Sequence, residues 1–398
     1  MTSADYSPAT FPAAPASRDA LATKKMMLVS LYASISALYL ITLFMTCRRT
    51  SELVAVLLVL GVVNVTYAGV MWGAARRAVD VGVVRENPAD FAFYAGASVF
   101  NALFSLQLLH VVTLPTYVAV HNAGPFVAHA ATEALRRVSL MRDAFKPEQR
   151  HAALAYVAGL VVYSLPAAVT AAVGDRVVVY DKAPYTTKLG WSLLSLAAAT
   201  VRHVTAARLP QGVTHDTMHA VENSGAWLFT MAYILTFKAF DETVSVDVNR
   251  AANFLTLSAL LSLGVDACAG AAHAYNRELS ASETLGAASR GPPIAFHAVT
   301  LLTRALVLVF SFVTMVPFDG YVVCFMVGHA FMLYAVHDFM SRQRDDRVVI
   351  DLNDFGSYKA PSELAGSQPR SRLASHSGVD EVSETASCAA DECESKPV

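Results

Sequence analysis

Residues 114–133 read LPTYVAVHNAGPFVAHAATE. The stretch is about one bilayer thickness of mostly apolar residues. Pro115 opens it, and the adjacent pair His121 and Asn122 interrupts it at the middle. Polar groups at that depth are costly unless they face a cavity, a partner or a ligand. The pattern recurs near the other end of the chain, where residues 294–315 read IAFHAVTLLTRALVLVFSFVTM with Arg304 close to the centre. Two such helices, one in each half, each with a basic side chain at mid-span, point to a transporter.

Composition marks an integral membrane protein with several spans. Of 398 residues, 55% are hydrophobic and 16% charged, with a mean hydropathy of +0.43. Soluble domains carry about 25% charged residues, so the expected class is an all-α integral membrane protein. The basic residues are scattered in loops, not gathered into a nucleic-acid surface. The five cysteines (Cys47, Cys268, Cys324, Cys388 and Cys393) have no CxxC or His-paired spacing, which argues against a zinc site or a disulfide framework. No serine-hydrolase elbow, metalloprotease helix or phosphate loop is present, and the expectation is a carrier, not an enzyme, with no cofactor and no metal.

Taken in order, the pattern predicts a disordered tail over 1–22, a membrane domain over 23–340 and a second disordered tail over 341–398. Ten spans are expected, at about 26–45, 53–72, 91–110, 114–133, 152–173, 189–207, 221–237, 254–273, 294–315 and 321–337. Lys and Arg in short loops favour the cytosolic face. With ten spans and a cytosolic N-terminus, sixteen of them fall on the cytosolic side against seven opposite. That bias supports an even number of spans and two cytosolic termini. The sequon Asn64-Val65-Thr66 lies inside the second span and reads as a chance triplet. Arg202 and His203 near the end of the sixth read as marking the membrane interface.

Several elements resemble the nucleotide-sugar transporters of the drug/metabolite transporter superfamily, nearest the GDP-mannose branch. Pro115, Tyr117, His121 and Asn122 stand at the spacing of that family's Pro-x-Tyr-x-x-x-Lys-Asn element, with histidine in place of lysine. Asp216-Thr217-Met218 followed by Glu222-Asn223 is similar to its Asp-Ala-Met segment and the asparagine pair that contacts the base. Thr300-Leu301-Leu302-Thr303-Arg304 corresponds to Gly-Ala-Leu-Asn-Lys, and Gly328 with Tyr334 to a closing Gly-x5-Tyr. Phe296 keeps an aromatic where the family has tyrosine, and Tyr32 matches a tyrosine that faces the sugar.

The resemblance implies two inverted five-helix repeats, roughly 26–173 and 189–337, around a midplane cavity. It also implies a Golgi or endoplasmic reticulum address, and exchange of a nucleotide-sugar for a nucleoside monophosphate, with a homodimer left open. In that scheme Arg304 and His121 hold phosphates, since guanidinium forks onto phosphate oxygens. Asn223 with Glu222 reads the base, Asn122 offers a further amide for a base edge, and Tyr32 and Phe296 border the sugar. Tyr117 and Thr303 complete the expected site. Arg304 has an alternative partner in Asp266, another charge at mid-span. Two further readings stand beside this one: an organic-phosphate carrier of the same superfamily, and a multispan protein without transport.

Overall fold

The computed structural model describes residues 18–73, 79–137, 147–173, 184–210, 213–237, 242–283, 294–314 and 321–345. Eleven helices and their short links make up these residues, with no strand among them. They are α1 (Arg18–Arg49), α2 (Leu53–Gly73), α3 (Val81–Glu86), α4 (Pro88–Val111), α5 (Leu114–Arg137), α6 (Pro147–Val173), α7 (Tyr185–Ala206), α8 (His215–Phe237), α9 (Glu242–Glu283), α10 (Phe296–Thr314) and α11 (Tyr321–Asp345). Each of the ten long helices overlaps one of the expected apolar stretches.

Six of them, α1, α2, α4, α9, α10 and α11, are long and apolar enough to cross a membrane. The chain is therefore an all-helical protein with multiple membrane-spanning segments. Its exterior agrees: Phe93, Leu235 and Val313 are each more than 70% exposed. Meanwhile Arg304, Asp266, Asn122 and His121 are buried. Apolar groups outside and polar groups inside is the distribution that a hydrocarbon solvent selects.

The helices overrun the apolar stretches at several ends. α1 begins at Arg18 and α11 continues to Asp345, because charged residues continue a helix readily once it leaves the bilayer. α9 has 42 residues, roughly 63 Å at 1.5 Å per residue, about twice the hydrocarbon thickness. The remainder of the two expected tails, and most of the basic loop between α5 and α6, lie outside the described residues. The short helix α3 was not anticipated. Asp80 caps it by accepting from Val83 N at 3.1 Å, and the Asp80 N–H donates to Thr217 Oγ1 on α8.

Packing pairs distant parts of the chain. α6 lies along α11, α1 along α9, α4 along α7, and α2 along α8; α1 also packs on α10, α5 on α7, α4 on α8 and α2 on α9. The α6–α11 crossing is tight because two glycines meet there. A Cβ on Gly328 would lie 2.7 Å from Tyr163 N, and one on Gly159 the same distance from Gly328 O. Gly328 thus serves close helix packing, as small residues do between membrane helices. Across the molecule, Arg48 Nη2 donates to Val112 O at 2.8 Å, fastening the end of α1 to the short turn before α5.

Candidate functional site: a polar cavity among six helices

Four helices carry polar residues at helical spacing. On α8, His215, His219, Glu222, Asn223 and Ala226 fall at i, i+4, i+7, i+8 and i+11, which is one face of a helix. On α9, Ser262, Asp266, Ala269 and His273 repeat the same pattern. α2 adds Gly61 and Asn64, and α1 adds Tyr32 and Tyr39, two turns apart. These faces, with Ser98 of α4 and Arg202 of α7, line a cavity of about 90 Å³. His273 stands just behind the lining.

One carboxylate oxygen anchors the α4 side. Glu222 Oε1 accepts from Arg202 Nε at 2.9 Å and Nη2 at 2.6 Å, from Ser98 Oγ at 3.1 Å, and from the Tyr94 hydroxyl. Arg202 is thus turned into the bundle, with Glu222 as its partner. α8 begins at His215, earlier than its apolar run, so Glu222 lies two turns inside the helix and meets Arg202 across the bundle. Removing either charge from water is expensive, and the pair with its two hydroxyl donors offsets that cost.

The α9 side is imidazole-rich. His219 Nδ1 lies 3.5 Å from Asp266 Oδ1. The His215 ring is 5.8 Å from that of His219, nearly parallel to it, and 4.5 Å from that of His273. Phe296 of α10 stacks on His273, with ring centroids 4.5 Å apart. The Asn223 amide donates to His219 O at 2.9 Å, and its nitrogen lies 3.1 Å from His219 Nδ1. Asn64 accepts from Ser262 Oγ at 3.1 Å, so the asparagine of the second-span sequon lines the cavity instead of facing lipid.

The structure thus divides the sequence-predicted set. Tyr32, Glu222 and Asn223 line the cavity. Phe296 stands one layer behind it, edge-on to Tyr32 at 6.4 Å. Arg304, His121, Asn122, Tyr117 and Thr303 are not among the lining residues. Arg304 Nη1 donates to Asn122 Oδ1 at 2.6 Å, joining α10 to α5. Asp266 takes His219 as its close neighbour instead, because α8 and not α10 presents its polar face there. His121 turns its Nδ1 to Tyr117 O at 3.1 Å, with the two rings 4.0 Å apart. Thr303 Oγ1 donates to Ala33 O of α1 at 3.4 Å.

Sequence reasoning missed His215, His219, Ser98, Ser262 and Asn64 as lining residues. The i, i+4, i+7 recurrence of polar residues on α8 and α9 was the signal available for most of them. Among the described residues, no group of histidine, cysteine and carboxylate side chains has the geometry to hold a metal ion. Cys47 and Cys268 are buried free thiols.

No family model matches the sequence, and no curated protein matches it. A solved structure described only as "Crystal structure of protein" is similar over 83% of this chain and 99% of its own, at 14% identity and a TM-score of 0.39.

Proposed function

We propose that this protein is a membrane transporter in which two five-helix halves alternate access to the cavity. Its solute is a nucleotide-sugar, exchanged for a nucleoside monophosphate across a membrane of the secretory pathway. The observation that carries the reading is a symmetry in the packing. Exchange α1 with α7, α2 with α8, α4 with α9, α5 with α10 and α6 with α11. The pairing α1–α9 then becomes α7–α4, α1–α10 becomes α7–α5, and α4–α8 becomes α9–α2. The pairings α2–α8, α5–α10 and α6–α11 map onto themselves. All of these pairings occur, and they include the most extensive in the molecule. Two halves of five helices each, an odd number, run in opposite senses through a membrane. That is the architecture of inverted-repeat carriers, whose solute site lies between the halves.

Ten spans follow from the same reading. α5, α6, α7 and α8 have 24, 27, 22 and 23 residues, enough for a hydrocarbon core of about 30 Å. Their lower apolarity comes partly from His121, Asn122, Arg202 and Glu222, which bond inside the bundle: Asn122 Oδ1 to Arg304, His121 Nδ1 to Tyr117 O, and Arg202 to Glu222. At about 90 Å³ the cavity holds a few waters and is too small for a nucleotide-sugar, which enters when the halves part. Asn223 and Glu222 then meet the base, Tyr32 borders the sugar, and a phosphate displaces Glu222 from Arg202.

A second reading, a carrier of a smaller neutral or cationic solute, has one observation in its favour. Among the described lining residues Arg202 is the sole lysine or arginine, and Glu222 neutralises it while Asp266 adds negative charge. Uptake by proteoliposomes preloaded with GMP or UMP, offered a panel of labelled nucleotide-sugars, separates the two. Stimulation by one preloaded nucleotide, lost in Asn223→Ala, supports the nucleotide-sugar reading. Folded protein that takes up no member of the panel excludes it.

A further inference from the structure

We propose that His215, His219 and His273, together with Asp266, form a proton-binding site, and that the carrier takes up an anionic solute together with a proton. The inference rests on the transporter reading above and addresses the charge balance that reading leaves open.

The geometry comes first. The three imidazoles are in ring contact in series: His219 with His215 at 5.8 Å, His215 with His273 at 4.5 Å. Carboxylates stand at two points of the series. Asp266 Oδ1 is 3.5 Å from His219 Nδ1, and Asp216 Oδ1 is 3.9 Å from His215 Nδ1. The other charged or titratable groups facing the cluster are Glu222 of α8, paired with Arg202 of α7 and Tyr94 of α4, and Tyr32 and Tyr39 of α1. α2 contributes Asn64, and α10 contributes the Phe296 ring over His273.

Imidazole is the side chain whose ordinary titration falls near neutral pH. Contact between three rings opposes charging all of them, while a carboxylate beside the series favours charging one. The cluster is thus suited to hold one shared proton.

With neutral imidazoles, Arg202, Glu222 and Asp266 leave the cavity with one net negative charge, which repels a phosphate. One proton on the cluster offsets the charge of the lining, with Asp216 beside His215 a further carboxylate outside it, and the phosphate then competes for Arg202 against less repulsion. Proton and anion therefore favour each other's binding, and the coupling is reciprocal. The proton adds to an imidazole nitrogen on one side of the membrane and leaves from it on the other, with no redox step. His215 and Glu222 are two turns apart on one face of α8, so a helix that moves with one half carries both the proton site and the solute contact.

Full-length protein in lipid nanodiscs, labelled with 13C at histidine Cε1, tests the site directly. The resonances are assigned with His215→Gln, His219→Gln and His273→Gln. At least one of the three takes up a proton between about pH 5 and 8, and Asp266→Asn moves that event to lower pH. If none of the three titrates in that window, the proposal is overturned whatever the solute. The second arm measures uptake of labelled GDP-mannose and UDP-glucose with and without an inward proton gradient. One pH unit raises steady-state accumulation by up to about tenfold for one proton per solute, and His219→Gln abolishes the effect. Uptake indifferent to the gradient overturns the coupling while leaving the carrier. Titrating histidines with no uptake at any pH defeat the carrier reading and the coupling with it, and leave the proton site standing.

Discussion

Arg202 grips a single oxygen of Glu222 from two directions, through Nε at 2.9 Å and Nη2 at 2.6 Å. Tyr94 and Ser98 donate to the same atom, so α4, α7 and α8 converge on Glu222 Oε1. A carboxylate held in this way fixes the relative position of three helices that border the cavity. It also sets the field in which any charged solute must bind.

Breaking the pair from one side leaves an uncompensated buried charge, which costs about 3–5 kcal/mol. Arg202→Met and Glu222→Leu alone are therefore each expected to lower the thermal unfolding midpoint of the detergent-solubilised protein strongly. The double variant Arg202→Met/Glu222→Leu recovers most of the loss, because neither charge is then buried without its partner. A double variant as unstable as the worse single variant contradicts this account.

Arg304 and Asn122 make a different prediction from the one their sequence positions suggest. Both are buried, bonded at 2.6 Å, and absent from the cavity lining. Arg304→Ala is expected to destabilise the protein by about 2–5 kcal/mol, through the cavity that the side chain leaves and the unpaired Asn122 oxygen. Asn122→Ala costs about 1.5–3 kcal/mol, the range for a hydrogen bond to a charged group. On the proposed function, nucleotide binding per folded molecule is expected to stay unchanged in Asn122→Ala. Equilibrium binding measured on the folded fraction decides: a selective loss of affinity in both variants at unaltered melting temperature returns them to the site.

The ten long helices were legible because each needs a continuous apolar run, and such runs survive in any order of packing. The partners of buried charges were not. Asp266 was read as an alternative partner for Arg304, since both lie at mid-span. The structure sets Asp266 against His219 because α9 runs along α1 and reaches α8, while Arg304 on α10 faces α5. Depth in a membrane can be read from one helix, but azimuth depends on which helices are neighbours. Glu222 and Asn223 were found because they follow Asp216-Thr217-Met218 as a polar pair does in the family that the chain resembles. His215 and His219 belong to the same face, but their place before the apolar run of α8 hid them. α3 escaped notice because a six-residue helix has no periodicity to read.

The cavity should be wet and the outer face should not. Thiols react with methanethiosulfonates as thiolates, which require water. In a variant lacking the native cysteines, Ser262→Cys is expected to react with a small water-soluble methanethiosulfonate, and Val309→Cys on the outer face is not. Ser262 is buried beside Asn64 in the cavity, whereas Val309 is 61% exposed on the lipid-facing side of α10. Equal labelling at the two positions would remove the distinction between a hydrated interior and a lipid-facing exterior.

The α6–α11 crossing supplies the sharpest stability test. In Gly328→Ala the new Cβ would lie 2.7 Å from Tyr163 N and 2.8 Å from Gly159 O. Both are backbone atoms, which cannot swing aside, so the helices must separate. Overpacking of this kind costs about 1–3 kcal/mol, which outweighs the gain of up to about 1 kcal/mol from replacing glycine by alanine in a helix. The control is Gly69→Ala on α2, where nothing lies within 4 Å of the added methyl, so only the propensity gain operates. Thermal unfolding of the two variants should therefore shift in opposite directions, Gly328→Ala downward and Gly69→Ala level or slightly upward. Equal midpoints would show that α6 and α11 are not pressed together at the glycines.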